Sequence, residues 1–338
     1  MFKNLSLYRI APGWAPTLDA MEKALDGARF VPCPASQEKS VGWVEPRGEA
    51  HGPLVEAIAG QRILKLQIES KAVPGAVVKR KAQEAADHIE ATTGRKPGKK
   101  EIKTLREDAM LSLLPLAFSR QQTLWVWIDP ERGWLATDAS SQGKIDELIT
   151  ALVRAFDGLV LTQFNTQVTP QTAMTQWLSA TDADEWPEGL AIERDCELRS
   201  TDEERSVVRF TRHHLFNDEV RRHIAEGKLP TRLALNWEGR VGFTLTESMA
   251  IKKINFLEGV FEESQGSEKE SFDTNVAIGT AELRGVLDAL IAALGGELQP
   301  GQAPLHDPAA AAALGGTPLE PAAAARVAAA DDGQGPPF

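Results

Sequence analysis

The stretch Gly94-Arg95-Lys96-Pro97-Gly98-Lys99-Lys100 holds the ingredients of a loop that cradles nucleotide phosphates, with glycines for close backbone approach and a lysine to meet the charge. Such a loop needs four residues between its glycines and a Ser or Thr after its lysine, to hold magnesium. Here three residues separate the glycines, and Lys100 stands where the hydroxyl belongs. The spacing rejects nucleotide hydrolysis and leaves charge as the feature to explain. Residues 94–106, GRKPGKKEIKTLR, set six basic residues against one acid in a chain whose formal net charge is −11.

Other reactive residue types are present without a pattern that uses them. His51, His88, His213, His214, His223 and His306 show no metalloprotease spacing, and the isolated Cys33 and Cys196 cannot build a zinc knuckle. The acidic runs Asp182-Ala183-Asp184-Glu185 and Asp202-Glu203-Glu204 leave a two-metal nuclease open on residue type alone. Acids flanked by Ser and Thr equally read as solvated loops or helix starts. No Ser/His/Asp or Cys/His order stands out. The expectation is therefore no catalytic residue, no metal and no cofactor.

The basic residues need elements to present them. After Pro74, Val78, Ala82, Ala85 and Ile89 recur at helical spacing, Gly94 and Pro97 break the pattern, and Ile102, Leu105, Ala109 and Leu113 resume it. This reads as a helical hairpin inserted between strands. Lys79, Arg80 and Lys81 open its first helix, and Arg95 and Lys96 sit in the turn. Lys99, Lys103 and Arg106 share one face of the second helix, beside Lys100. From 79 to 106 there are nine Lys and Arg against four Asp and Glu. Charge segregation of this kind fits a polyanion partner, and a merely solvated lysine face fits it too. No aromatic residue interleaves the segment, which argues against base stacking on a single strand. Phosphate contacts to a duplex, indifferent to sequence, are what remain.

Around this segment the chain reads as strands and helices. Leu5 and Leu7 mark a first strand, Leu18, Met21 and Leu25 a helix, and Gly42-Trp43-Val44 and Ile63 to Ile68 two further strands. TLWVWIDPERGWLATD and LALNWEGRVGFTLT read as hairpins. Helices follow with Ile145, Leu148, Leu152 and Phe156, and with Leu283, Leu287, Leu290 and Leu294. The predicted fold class is α+β with largely antiparallel sheets. The expected organisation is a central lobe of 1–74 and 121–168, the basic hairpin at 75–120, a second lobe at 169–298, and a tail from 299 to 338. The tail is dominated by Ala, Pro and Gly and is expected to be disordered. No run approaches the length of a membrane span and no signal-like segment opens the chain. Two cysteines rule out a disulfide framework, so a cytoplasmic location is expected.

Several stretches together resemble one family, the bacterial recombination-associated protein RdgC. They are Phe2-Lys3-Asn4-Leu5 with Tyr8-Arg9, Phe30-Val31-Pro32-Cys33, Gly42-Trp43-Val44 with Pro46, and Leu113-Leu114-Pro115-Leu116-Ala117-Phe118-Ser119-Arg120. Trp127-Ile128-Asp129, Thr231-Arg232-Leu233-Ala234-Leu235 with Trp237, and Ala293-Leu294-Gly295-Gly296 complete the set, in order over residues 1 to about 298. None of these motifs is catalytic; their specificity lies in their number and order.

The resemblance implies a ring-shaped homodimer with a positively charged hole wide enough for double-stranded DNA. Binding would be without sequence preference, in the nucleoid, limiting the access of the recombinase RecA. It extends the candidate DNA-binding residues to Arg209 and Arg212, where the chain keeps a basic, polar character like the family's, with hole and interface both open as assignments. It gives Phe118 the role of an apolar contact at the dimer interface, against the alternative of an ordinary core phenylalanine. The final DDGQGPPF, with Asp331, Asp332 and Phe338, resembles the acidic tip of bacterial single-stranded-DNA-binding proteins and could take a weak partner, against the alternative of an incidental low-complexity ending. Two further functions stay open: a metal-dependent nuclease, and a protein-binding adaptor whose lysine face meets an acidic partner.

Overall fold

Strand β1, Asn4–Ile10, joins two halves of one sheet. Its first residues pair with β12 (Ile251–Phe256), while Ser6 to Arg9 pair with β6 (Trp134–Thr137) and Tyr8 to Ile10 with β7 (Leu161–Gln163). The computed structural model describes residues 2–182, 185–261 and 268–298. Among these, one 12-stranded sheet runs in the order β2-β4-β5-β6-β1-β12-β11-β10-β8-β9, with β3 added beside β4 and β7 beside β1. The remaining strands are β2 (Lys39–Val44), β3 (Glu56–Ile58), β4 (Gln61–Lys71) and β5 (Ser119–Asp129), then β8 (Leu190–Ser200), β9 (Val207–Phe210), β10 (Lys228–Trp237) and β11 (Val241–Thr246). Every named strand pair is antiparallel. The α+β reading holds, with a single continuous sheet where separate ones were expected.

Two cores lie on opposite faces of that sheet, because alternate residues of a strand point to opposite sides. Leu7, Ile63 and Trp127 belong to one core, and their neighbours Ile10, Leu64, Val126 and Ile128 to the other. The first core is closed by α5 (Pro170–Ser179), α6 (Asp218–Ala225) and α7 (Glu268–Ala293), through Met174, Ile224, Leu287 and Leu290. The second is closed by α1 (Leu18–Asp26) and α4 (Gln142–Ala155), through Met21, Leu25, Leu148 and Leu152. Fully burying each such side chain contributes about 1.5–3 kcal/mol. Leu18, expected to share that interface, lies outside it and is exposed.

Between β4 and β5 the chain is helical, with α2 (Gly75–Thr93), α3 (Lys99–Leu113) and a single 3-10 turn, Leu114–Leu116. α2 stops where the alternation of apolar residues stops. Gly94 takes a left-handed φ of 69°, which glycine adopts without steric cost, and its N–H caps the helix on Glu90. The two helices pack on each other, and within them only the small Ala82, Ala86 and Ala109 are buried. An apolar seam of alanines leaves most of both helical surfaces to solvent. The reading of residues 299–338, including Asp331, Asp332 and Phe338, falls outside the described residues.

Candidate functional site

The cations read from the sequence are exposed, and they divide into paired and unpaired sets. Lys79, Arg80 and Lys81 lie in the first turns of α2, Arg95 and Lys96 in the connection, and Lys99, Lys100, Lys103 and Arg106 on α3, all exposed. Arg80 pairs with Glu84 at 3.8 Å, Lys96 with Glu90 at 3.7 Å and Lys103 with Glu107 at 3.8 Å. Arg95 grips Glu101 through both of its terminal nitrogens, at 3.0 and 3.2 Å, and holds that carboxyl below its ordinary pKa. Exposed pairs of this sort contribute at most ~1 kcal/mol. Lys79, Lys81, Lys99, Lys100 and Arg106 have no ion pair among the described residues. These five cations are exposed on two adjacent helices without an acidic partner, a distribution suited to phosphates rather than to a shaped small ligand.

A second cationic group is assembled across three strands. The register places Arg209 of β9 and Arg232 of β10 on either side of Glu197 of β8, and Arg199 follows two residues later on the same face. The Glu197 carboxylate is buried, with the residue only 5% exposed. It accepts from Arg209 Nε at 2.7 Å and from Thr231 Oγ1 at 3.0 Å, while Arg199 lies at 3.5 Å and Arg232 at 3.8 Å. Burial by itself would raise its pKa. The hydrogen bonds from Arg209 and Thr231, with the charges of Arg232 and Arg209, outweigh burial and hold the carboxyl below its usual range. One carboxylate thus steadies three guanidiniums, all of them exposed, and the group keeps an excess of positive charge. Arg212 is exposed nearby in sequence; its backbone N–H donates to Asp195 Oδ1 at 2.8 Å.

Phe118 occupies the residue before β5 and is 95% exposed, with Leu116 two residues earlier 78% exposed. The core alternative for Phe118 is thereby removed. Leu114, four residues away, is the buried member of this stretch. Among the described residues no group of three or more His, Cys, Asp or Glu side chains could hold a metal ion, and no helix is long and apolar enough to cross a membrane. Of the first acidic run, Asp182 and Glu185 are among the described residues, and Ala183 and Asp184 lie outside them.

A family model described as "RdgC: Putative exonuclease, RdgC" matches residues 1–297. The chain belongs to the RdgC family. Curated RdgC relatives agree along nearly their whole length. "Recombination-associated protein RdgC" of Dechloromonas aromatica (strain RCB) is 42% identical over 303 residues, covering 88% of this chain and 98% of the relative. The proteins of the same name from Janthinobacterium sp. (strain Marseille) and Herminiimonas arsenicoxydans are 41% and 42% identical, each over 88% of this chain and 99% and 98% of their own length.

In this RdgC-family chain the motifs that carry the likeness have structural work of their own. Gly42 lies so close to the Phe30 backbone that a Cβ would come within 2.4 Å of it, and the Trp237 ring leaves no room for a Cβ on Gly285. Arg9 is locked to Glu297 and to the Arg132 carbonyl, tying the first strand to the far end of the matched region. What sequence reasoning missed is the role of Glu197, Arg199 and Arg232. Arg232 stood inside the TRLAL motif, but only strand register brings it to Glu197.

Proposed function

We propose that this RdgC-family protein is a non-enzymatic, sequence-independent binder of double-stranded DNA. It grips the phosphate backbone through the α2–α3 cations, acting as an inserted basic hairpin, and through the arginines around Glu197. The observation that carries the reading is the concentration of unpaired cations, Lys79, Lys81, Lys99, Lys100 and Arg106, on one helical pair of a chain with net charge −11. An acidic protein holds DNA only where its positive charge is gathered on one surface.

In the same reading two copies close into a ring around the duplex, with the apolar side chains of Phe118 and Leu116 at one contact between copies. Large exposed apolar side chains of this kind mark contact surfaces. The protein acts at the nucleoid in the cytoplasm, where a ring on duplex DNA limits the access of RecA and modulates recombination and replication-fork traffic. The relatives' name, recombination-associated protein, supports the recombination context.

A metal-dependent nuclease is the second reading, favoured by the family's description as an exonuclease. Incubating the purified protein with supercoiled plasmid and magnesium separates the two. Retardation of intact plasmid supports the binder, and nicked or shortened products support the nuclease.

A further inference from the structure

A cavity of about 580 Å³ opens at the end of β1, bounded by the loop Ala11 to Ala15, the turn Pro130 to Gly133, Arg62 of β4 and Glu297. Its charged walls are almost all paired. Arg9 is bound to Glu297, Arg132 to Asp288, and Glu131 to Arg284. Arg62 is the exception. Its guanidinium has one hydrogen-bonding contact among the described residues, Met21 Sδ at 3.0 Å, and no carboxylate partner. A thioether is a weak acceptor, and five N–H donors in a fixed fork are far from satisfied by it.

Arg62 therefore carries its charge at the cavity without a fixed counter-ion among the described residues. Arg62 is half-buried, and burial lowers its pKa with no opposing acid to restore it. A desolvated charge without a partner is disfavoured unless something else supplies the counter-charge. The wall beside it is held in shape: Pro12 and Pro16 flank a loop in which Gly13 adopts a φ of 92°, and Trp14 in that loop packs edge-on against Phe156 at 5.6 Å. Trp14 therefore offers an aromatic wall to the same cavity whose charged end is Arg62.

We propose that this cavity is a binding site for a small organic oxyanion, its carboxylate or phosphate held by the Arg62 fork and its flat apolar part against Trp14. Planar bidentate recognition of either anion is what a guanidinium does best. The site is independent of the DNA reading, which uses other cations.

The test uses the full chain and three probes of one shape: phenyl phosphate, benzoate and the neutral benzyl alcohol, titrated calorimetrically into wild type and Arg62→Met. Met keeps an unbranched apolar stem at this position and removes the charge and every N–H donor. Saturable binding of an anion, weakened about tenfold or more by Arg62→Met and absent for benzyl alcohol, is expected. The tighter anion names the class. Replacing Lys99, Lys103 and Arg106 by Ala should leave this binding unchanged. No saturable binding by about 10 mM, or equal affinity in Arg62→Met, overturns the proposal. Should Arg62→Met not fold, phenylglyoxal modification of wild type followed by peptide mass spectrometry decides. Slower modification at Arg62 with the bound anion supports the site, and unchanged modification overturns it.

Discussion

Arg209 donates from Nε to Glu197 Oε2 at 2.7 Å across the β8–β9 ladder, an exposed guanidinium fastened to a buried carboxylate. The carboxylate lies where Arg199 and Arg232 also converge, so its charge is what permits three cations to share one face of the sheet. Replacing Glu197 by Gln should cost about 1–3 kcal/mol of stability, measured by urea unfolding at neutral pH. Its folded pKa is depressed, so its contribution is full above the ordinary carboxylate value and falls away as pH drops through the folded value. The gap between wild type and Glu197→Gln should therefore close on acidification below about pH 4.5. A gap that persists unchanged at about pH 3 would show that charge is not its source.

Asp138 behaves in the opposite sense. Burial, opposed in part by the hydrogen bond from the Trp125 N–H, raises its pKa to about 6. A carboxyl raised by folding stabilises the protein below its unfolded value and loses that contribution as pH rises through about 6. Asp138→Asn keeps the acceptor for Trp125 and removes the charge. It should raise thermal stability at about pH 7.5 by up to about 2 kcal/mol, with little effect at about pH 3. A lower Tm at the higher pH would contradict this.

Phe118→Ser should leave the protomer's unfolding unchanged, because the ring is 95% exposed and removes little from either core. On the proposed ring its effect would fall on association. If it is a central contact between copies, sedimentation should show a dimer weakened by about 2 kcal/mol, roughly thirtyfold in Kd. An unaltered dimer would move the interface away from this stretch.

The two thiols should separate cleanly under alkylation. Cys196 is buried in the β8 core and its pKa is pushed up to about 12, first by burial and then by the charge of Glu197. Cys33 is partly exposed. Iodoacetamide at about pH 8 on the folded protein should label Cys33 and spare Cys196, as read by peptide mass spectrometry. Labelling of both at one rate would mean that the β8 to β10 region opens readily.

Much of this architecture was legible because its cues are local. Alternating Leu64, Leu66 and Ile68 marked β4, and Gly94 and Pro97 marked the break between α2 and α3. The short α5 and α6 were missed although Thr169 and Asn217 cap their first turns, with Pro170 and Asp218 following. Strand β8, LAIERDCELRS, hides for a different reason: one face carries Glu197 and Arg199, which interrupt the apolar run that Cys196 and Leu198 supply on the other. The basic helices could be read from contiguous charge. The Glu197 cluster could not, since it forms only when β9 and β10 are laid in register on β8.

The proposed grip of the α2–α3 cations on DNA phosphates, without reading sequence, is open to direct test. The most direct measurement is the salt dependence of duplex binding for wild type and for Lys99, Lys103 and Arg106 replaced together by Ala, on two unrelated sequences. Each phosphate contact contributes about 0.9 to the slope of log K against log salt. Wild type should give equal affinities on both sequences, and the triple variant should bind more weakly with a slope shallower by up to about 2.7. An unchanged slope in the triple variant, or a strong preference between the two sequences, would contradict the account.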